Sequence, residues 1–215
     1  MRTLTRQMVM AVGFPACGKG VVTSMVAEGL EVPPDCVYIQ GVKLREVRES
    51  DPAFAKKYGP VMDNRGLLPP EIPIRIFREW FTPRLASAKP KFVLDGFVRQ
   101  QEQAGELVRL IHDGFLLNII HIDKPWEVCR VNAIGRGRPD DKALLDKQKA
   151  LAVERTIQDR MRRYEMPSTM MLLRRHPCVR LLTIRTSGIL EYFQDDILRW
   201  IRAGKGASTQ TLVSR

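Results

Sequence analysis

At 215 residues with 44% hydrophobic content, the chain can build one α/β domain with a sizeable core, and no run is long or apolar enough to span a bilayer. The formal net charge of +11, from 35 Lys and Arg against 24 Asp and Glu, favours anionic partners such as nucleotides, nucleic acid or an acidic surface. Four scattered cysteines, Cys17, Cys36, Cys129 and Cys178, lack the paired spacing of a metal site and fit free thiols in a reducing cytoplasm.

In chain order, Gln7 to Val12 reads as a short buried strand, with no cleavage site of the secretory kind behind it. Gly13-Phe14-Pro15-Ala16-Cys17-Gly18-Lys19-Gly20 then has the G-x-x-x-x-G-K spacing of a phosphate-binding loop, and Val21 to Leu30 reads as the helix after it. In such a loop glycines turn successive backbone N–H groups inward around phosphate oxygens. The helix start adds partial positive charge, and the lysine reaches the outer phosphates. ATP or GTP binding is the default expectation. A Ser or Thr usually follows the lysine, but Gly20 and Val21 offer no hydroxyl.

Cys36 to Ile39 reads as a second strand, entered through Pro33-Pro34. Residues 41–66 hold two amphipathic helical pieces split near Asp51-Pro52, and a third follows Pro69-Pro70 to about Ala88. Lys91 to Asp95 is an apolar strand ending in a carboxylate, which either opens a turn or, in a nucleotide-binding sheet, lies beside the phosphate loop where it can hold water on Mg²⁺. A helix over about 100–113, a strand from Phe115 to Ile122 and a helix from Pro125 to about Ile134 come next. A polar stretch over 135–153, a long helix carrying Arg160, a strand over Val179 to Ile184 and a helix over about 188–202 complete the pattern. Residues 204–215 read as a loose tail. Strand–helix alternation predicts a parallel sheet covered on both faces, with ligands at the carboxyl ends of its strands. His112 and His121 fall on or beside core elements and read as structural, while His176 lies in a basic turn. The runs Arg160-Met161-Arg162-Arg163 and Arg174-Arg175 read first as solvated helix faces and only second as nucleic-acid contacts.

Asp95-Gly96-Phe97-Val98-Arg99-Gln100-Gln101-Glu102-Gln103 resembles the D-G-F-P-R-x-x-x-Q signature of adenylate kinases and their nucleoside monophosphate kinase relatives. The opening loop resembles that family's G-x-P-G-x-G-K-G-T, and Ile39 to Arg45 resembles I-S-T-G-D-x-L-R. Gly66-Leu67-Leu68 resembles its G-x-L/V step, Gly135-Arg136 its lid entry, and Thr156 to Tyr164 its T-I-x-x-R-L-x-x-Y. The similarity runs over roughly 7–200.

The resemblance implies a P-loop nucleoside-triphosphate-binding α/β fold with a five-stranded parallel sheet and helices on both faces. It implies a single domain over 1–203, with an acceptor-binding insert at about 40–70 and a lid at about 135–155. It also implies a monomeric cytoplasmic enzyme, without a membrane partner, that moves the γ-phosphate of ATP to AMP with Mg²⁺. Gly13, Pro15, Ala16, Cys17, Gly18, Lys19, Gly20 and Val21 would hold the ATP phosphates. Lys19, Arg99, Arg136 and Arg160 would act on the transferring group, and Asp95 on Mg²⁺ through water. Gln40, Arg45, Gly96, Arg99 and Gln103 would bind the acceptor, with Gln103 on the base; Arg138, Asp140 and Asp141 would belong to the lid. An array of arginines around one lysine suits phosphoryl transfer, where positioning and positive charge supply most of the catalysis.

The chain also departs from the pattern. Ala16 replaces a loop glycine, at a cost on the order of 1 kcal/mol if its φ is positive. Val21, Gln40 and Val42 replace Thr, Thr and Asp, and Val98 replaces a proline. Arg138-Pro139-Asp140-Asp141 lies too far before Thr156-Ile157 for the usual lid spacing. Two rival readings follow: a kinase for another nucleoside monophosphate, or a catalytically weak nucleotide-gated binding protein that contacts RNA.

Overall fold

The apolar runs of the sequence pair into one parallel sheet, seen in a computed structural model that describes residues 6–85, 91–112, 114–136, 144–204 and 209–213. Its strands are β1 (Arg6–Gly13), β2 (Val37–Ile39), β3 (Lys91–Asp95), β4 (Phe115–Asp123), β5 (Val179–Arg185) and β6 (Thr209–Val213). They stand in the order β2-β3-β1-β4-β5-β6, and every pairing is parallel. Central strands read as continuous apolar runs because both faces are covered: Met8 to Val12 are all buried, as are Phe115 to Leu117.

The sheet therefore has six strands rather than the five expected. The tail residues Thr209–Val213, expected to be loose, form the sixth, pairing from Leu181↔Thr209 to Arg185↔Val213. The stretch between β5 and β6 opens with a 3₁₀ turn at Leu190–Phe193 before its α-helix begins at Gln194, later than expected.

The helices are α1 (Lys19–Gly29), α2 (Gln40–Ser50), α3 (Pro52–Asp63), α4 (Glu71–Leu85), α5 (Gln101–His112), α6 (Trp126–Gly135), α7 (Lys147–Arg160), α8 (Met166–Arg175) and α9 (Gln194–Ala203). Five residues of π-helix, Met161–Glu165, join α7 to α8. Helix α7 begins at Lys147, inside the stretch read as polar lid. Arg138, Asp140 and Asp141 lie outside the described residues.

Two apolar clusters organise the molecule. The larger fills both faces of the sheet. Its aromatic part joins Tyr38, Phe77, Trp80, Phe81 and Phe92 to Phe97, whose ring stacks on Phe77 at 3.9 Å between centroids. The smaller comprises Leu44, Phe54, Leu68 and Ile76, so α2 and α3 close over a core of their own beside α4. Asp51 caps α3 by accepting from the N–H groups of Ala53 (2.9 Å) and Phe54 (3.0 Å), with Pro52 at the first helical position. Strand order reverses around β1, which opens a crevice at the carboxyl ends of β1 and β3.

Candidate functional site

The loop after β1 is shaped by three residues with positive φ: Gly13 (145°), Ala16 (62°) and Gly18 (105°). A Cβ on Gly13 would stand 2.7 Å from the Ile122 carbonyl oxygen, and one on Gly18 would stand 2.2 Å from Leu190 Cδ1. No side chain caps α1, and its first turn holds no acid, so its leading N–H groups and partial positive charge are left for an anion. Lys19 Nζ donates to the carbonyls of Gly13 and Phe14, both at 2.8 Å, which holds the ammonium across the mouth of the loop. The next hydroxyl along the chain, that of Thr23, is turned back onto the Lys19 and Gly20 carbonyls. Cys17 is fully buried, and burial raises its thiol pKa even with Lys19 nearby, so it packs rather than reacts.

Asp95 ends β3 opposite Ala11 and Ile39, which sets its carboxylate at the crevice beside the loop. Gly96 then turns with φ 72°, and buried Phe97 and Val98 anchor the backbone on either side of the turn. Arg99 Nε donates to the Gly96 carbonyl (3.0 Å), laying the guanidinium across the turn. Gln103 is buried and works locally: its Oε1 accepts from the Arg99 N–H (2.8 Å) and its Nε2 donates to Gln100 Oε1 (3.2 Å). Gln40, also buried, donates through its amide nitrogen to the carbonyls of Gly96 (2.9 Å) and Phe97 (3.0 Å). Arg45 projects from α2 over Gly41 and has no ion-pair partner among the described residues.

The far wall comes from the end of α7. Arg160 is 8% exposed; its Nε lies 2.7 Å from Glu165 Oε1, and its NH1 donates to the Arg65 carbonyl (3.0 Å). Burial lowers its pKa, Glu165 counters this, and the charge of Arg99 adds to it. Arg136 ends α6 on the same side.

One cleft of about 590 Å³ thus holds Lys19, Arg45, Arg99, Arg136, Arg160 and Asp95, with Gln40, Gly96 and Gln103 at its base. Pro15, Ala16, Gly18, Gly20 and Val21 form its loop wall, whereas Gly13 and Cys17 support the loop from behind. His121 lies in β4 outside the cleft lining, where burial lowers its pKa. His176 Nδ1 accepts from the Cys178 N–H (3.2 Å) at the entry to β5. The side chain of His112 lies outside the described part.

Four cleft residues escape the motif reading. Asn132 of α6 donates to the Ala16 carbonyl (3.3 Å) and so steadies the one non-glycine residue of the loop with positive φ. Arg48 grips Asp63 with two hydrogen bonds (2.7 and 3.1 Å), tying α2 to α3. Arg65 and Glu165 meet Arg160. None belongs to a short motif, and only the charge excess hinted that further arginines would gather here.

Among the described residues no three His, Cys, Asp or Glu side chains come together as a resident metal site requires. Asp95 is a single carboxylate beside a phosphate-shaped loop, a donor set that fits Mg²⁺ borne on a nucleotide. No helix of the described residues is long and apolar enough to cross a membrane.

No family model matches the chain. It is similar to the adenylate kinase of Listeria monocytogenes serotype 4b, 34% identical over 128 residues that cover 58% of this chain and 56% of that protein. It is similar to the adenylate kinase of Encephalitozoon cuniculi, 29% identical over 133 residues, 62% of this chain and 69% of that protein. Against the adenylate kinase of Leptospira biflexa it is 30% identical over 162 residues, 71% of this chain and 76% of that protein. The match therefore spans little more than half of the Listeria relative and about three quarters of the Leptospira one.

Proposed function

The chain belongs to the adenylate kinase family, and on that premise we propose that it transfers the γ-phosphate of ATP to a nucleoside monophosphate, with AMP the favoured acceptor. The observation that carries this reading is the convergence of Lys19, Arg45, Arg99, Arg136, Arg160 and Asp95 on a single cleft at the carboxyl ends of β1 and β3. Lys19 would exchange its two carbonyl partners for phosphate oxygens, which keep the same number of bonds and add charge. The bare start of α1 would hold the inner ATP phosphates. Arg45 and Arg99 would clamp the acceptor phosphate, and Arg136 and Arg160 would hold the transferring group from the opposite wall. Mg²⁺ borne on ATP supplies charge neutralisation, and Asp95 would hold its water shell. Residues 40–70 would serve as the acceptor insert and 135–155 as the lid, closing to exclude water from the reacting groups.

A second reading, transfer to another nucleoside monophosphate, draws on the amides of Gln40 and Gln103. Both are buried and hold the backbone of the Gly96–Arg99 turn, which leaves them less to offer a base. One assay separates the readings: ADP formation from ATP and Mg²⁺ with AMP, GMP, CMP, UMP and dTMP in turn. AMP is expected to lead, and Lys19→Ala to lower turnover by about 10²- to 10³-fold. AMP ranking last would transfer the assignment to another acceptor. No ADP from any acceptor would refute both readings.

A further inference from the structure

The π-helix between α7 and α8 does something a regular helix cannot. In an α-helix, residues five apart are separated by about 140° around the axis, so Arg160 and Glu165 would point to different faces. The wider π turn, bonded i to i+5, stacks the later residue over the earlier one. Here it brings Glu165 Oε1 to 2.7 Å from Arg160 Nε, with both side chains almost wholly withdrawn from solvent. Both also line the cleft.

That placement is costly as plain scaffolding. A buried ion pair is seldom more stable than apolar side chains of the same volume, and this one stands next to the charge of Arg99. A carboxylate facing a phosphate cleft would also repel the ligand unless its charge were spent on a neighbour. Glu165 is spent on Arg160, and the Arg65 carbonyl at 3.0 Å fixes a second side of the same guanidinium. The guanidinium is thus restrained at NH1 by a hydrogen bond and at Nε by the Glu165 charge, an ion pair that is close but not aligned as a hydrogen bond.

We propose that Glu165 is a positioning residue. Through the π turn it fixes the Arg160 guanidinium in the orientation in which it meets the nucleotide phosphates. The proposal rests on the reading of the cleft as a phosphoryl-transfer site. It assigns to Glu165 a role that no short motif of the sequence carries, and it makes the π turn part of the site.

The test is a double-mutant cycle on the full chain, read by calorimetry with a dinucleotide of two adenosines joined by five phosphates, which fills donor and acceptor sites together. The four proteins are the wild type, Glu165→Gln, Arg160→Gln and the double variant. Glu165→Gln is expected to weaken binding about tenfold or more in the wild-type background, and to change it by less than about twofold once Arg160 is Gln. An equal loss in both backgrounds, or no loss in the wild type, overturns the proposal. Because Arg160→Gln leaves a buried carboxylate alone and could unfold the chain, a second readout uses only the wild type and Glu165→Gln. The Nε–H proton of Arg160, followed by NMR in the free protein, is expected to exchange about tenfold faster or more when Glu165 is neutralised; unchanged exchange overturns the proposal. Neither readout needs turnover, so failure of the kinase reading would appear in ADP formation and failure of this one in binding and exchange.

Discussion

Gly18 is the position where the loop geometry is most exposed to test. Its φ of 105° lies in the region L-residues avoid, and a Cβ there would stand 2.2 Å from Cδ1 of Leu190, a side chain only 3% exposed. Gly18→Ala therefore carries two costs. The backbone cost is about 1–3 kcal/mol for a residue forced into that region. The packing cost is about 1–3 kcal/mol, because Leu190 sits in the main core and its terminal methyl has little room to retreat. Their sum, about 2–6 kcal/mol, corresponds to a melting temperature lower by roughly 4–24 °C for a chain of this size. Urea unfolding of the variant measures the sum, and Leu190→Ala divides it. That variant loses about 2–5 kcal/mol by itself, but in its background Gly18→Ala should cost only the backbone share. Equal costs of Gly18→Ala in both backgrounds would show that Leu190 does not crowd the loop. A cost below about 0.5 kcal/mol in the wild type would show that the left-handed turn is not required.

Ala16 sits at φ 62°, where relief of about 1 kcal/mol by Ala16→Gly is largely offset by the extra freedom glycine gives the unfolded chain. The expected gain is about 0.5 kcal/mol or less by urea unfolding, and a loss above about 1 kcal/mol would mean that the Ala16 methyl packs usefully. Glu106 gives a pH-dependence of known sign. Hydrogen bonds from Arg78, and then from Arg109, hold its carboxyl below the ordinary glutamate range. Its folded pKa lies below its unfolded one, so its contribution is present above the unfolded value and is lost as pH falls through the folded value. Urea midpoints measured from about pH 6 to about pH 3 should fall less steeply for Glu106→Gln than for the wild type, and parallel curves would refute the assignment.

The sheet was legible because its strands are apolar runs punctuated by Pro33-Pro34, Gly96, Gly114 and Pro125, and the alternation dictates parallel pairing. The phosphate loop was legible because its spacing is imposed by the geometry of backbone N–H groups around an anion. Strand β6 was not: Thr209, Gln210, Thr211 and Val213 are exposed at a sheet edge, so they show no apolar face from which a strand could be read. The π turn was equally hidden, since Met161-Arg162-Arg163-Tyr164-Glu165 continues a helical composition and nothing in it marks the change of period. The polar contacts of Gln40, Gln103 and Asn132 depend on which backbone groups the fold presents, and these come from segments remote in sequence in two of the three cases.

Those three amides also bear on how the chain tolerates its own departures from the family pattern. A proline before Arg99 would stiffen the Gly96–Arg99 turn by fixing a backbone angle. Val98 cannot, and the turn is held from outside instead, with Gln40 on the Gly96 and Phe97 carbonyls, Gln103 on the Arg99 N–H, and Arg99 Nε on the Gly96 carbonyl. Ala16 shows the same logic: a residue with positive φ and no glycine is steadied by Asn132 from another helix. In each case a side-chain hydrogen bond restrains the backbone at the departing residue or beside it. A hydrogen bond of this kind contributes about 0.5–1.5 kcal/mol, comparable with the roughly 1 kcal/mol strain of an alanine in the left-handed region. The departures at Ala16 and Val98 are therefore consistent with a loop and turn that keep their shape.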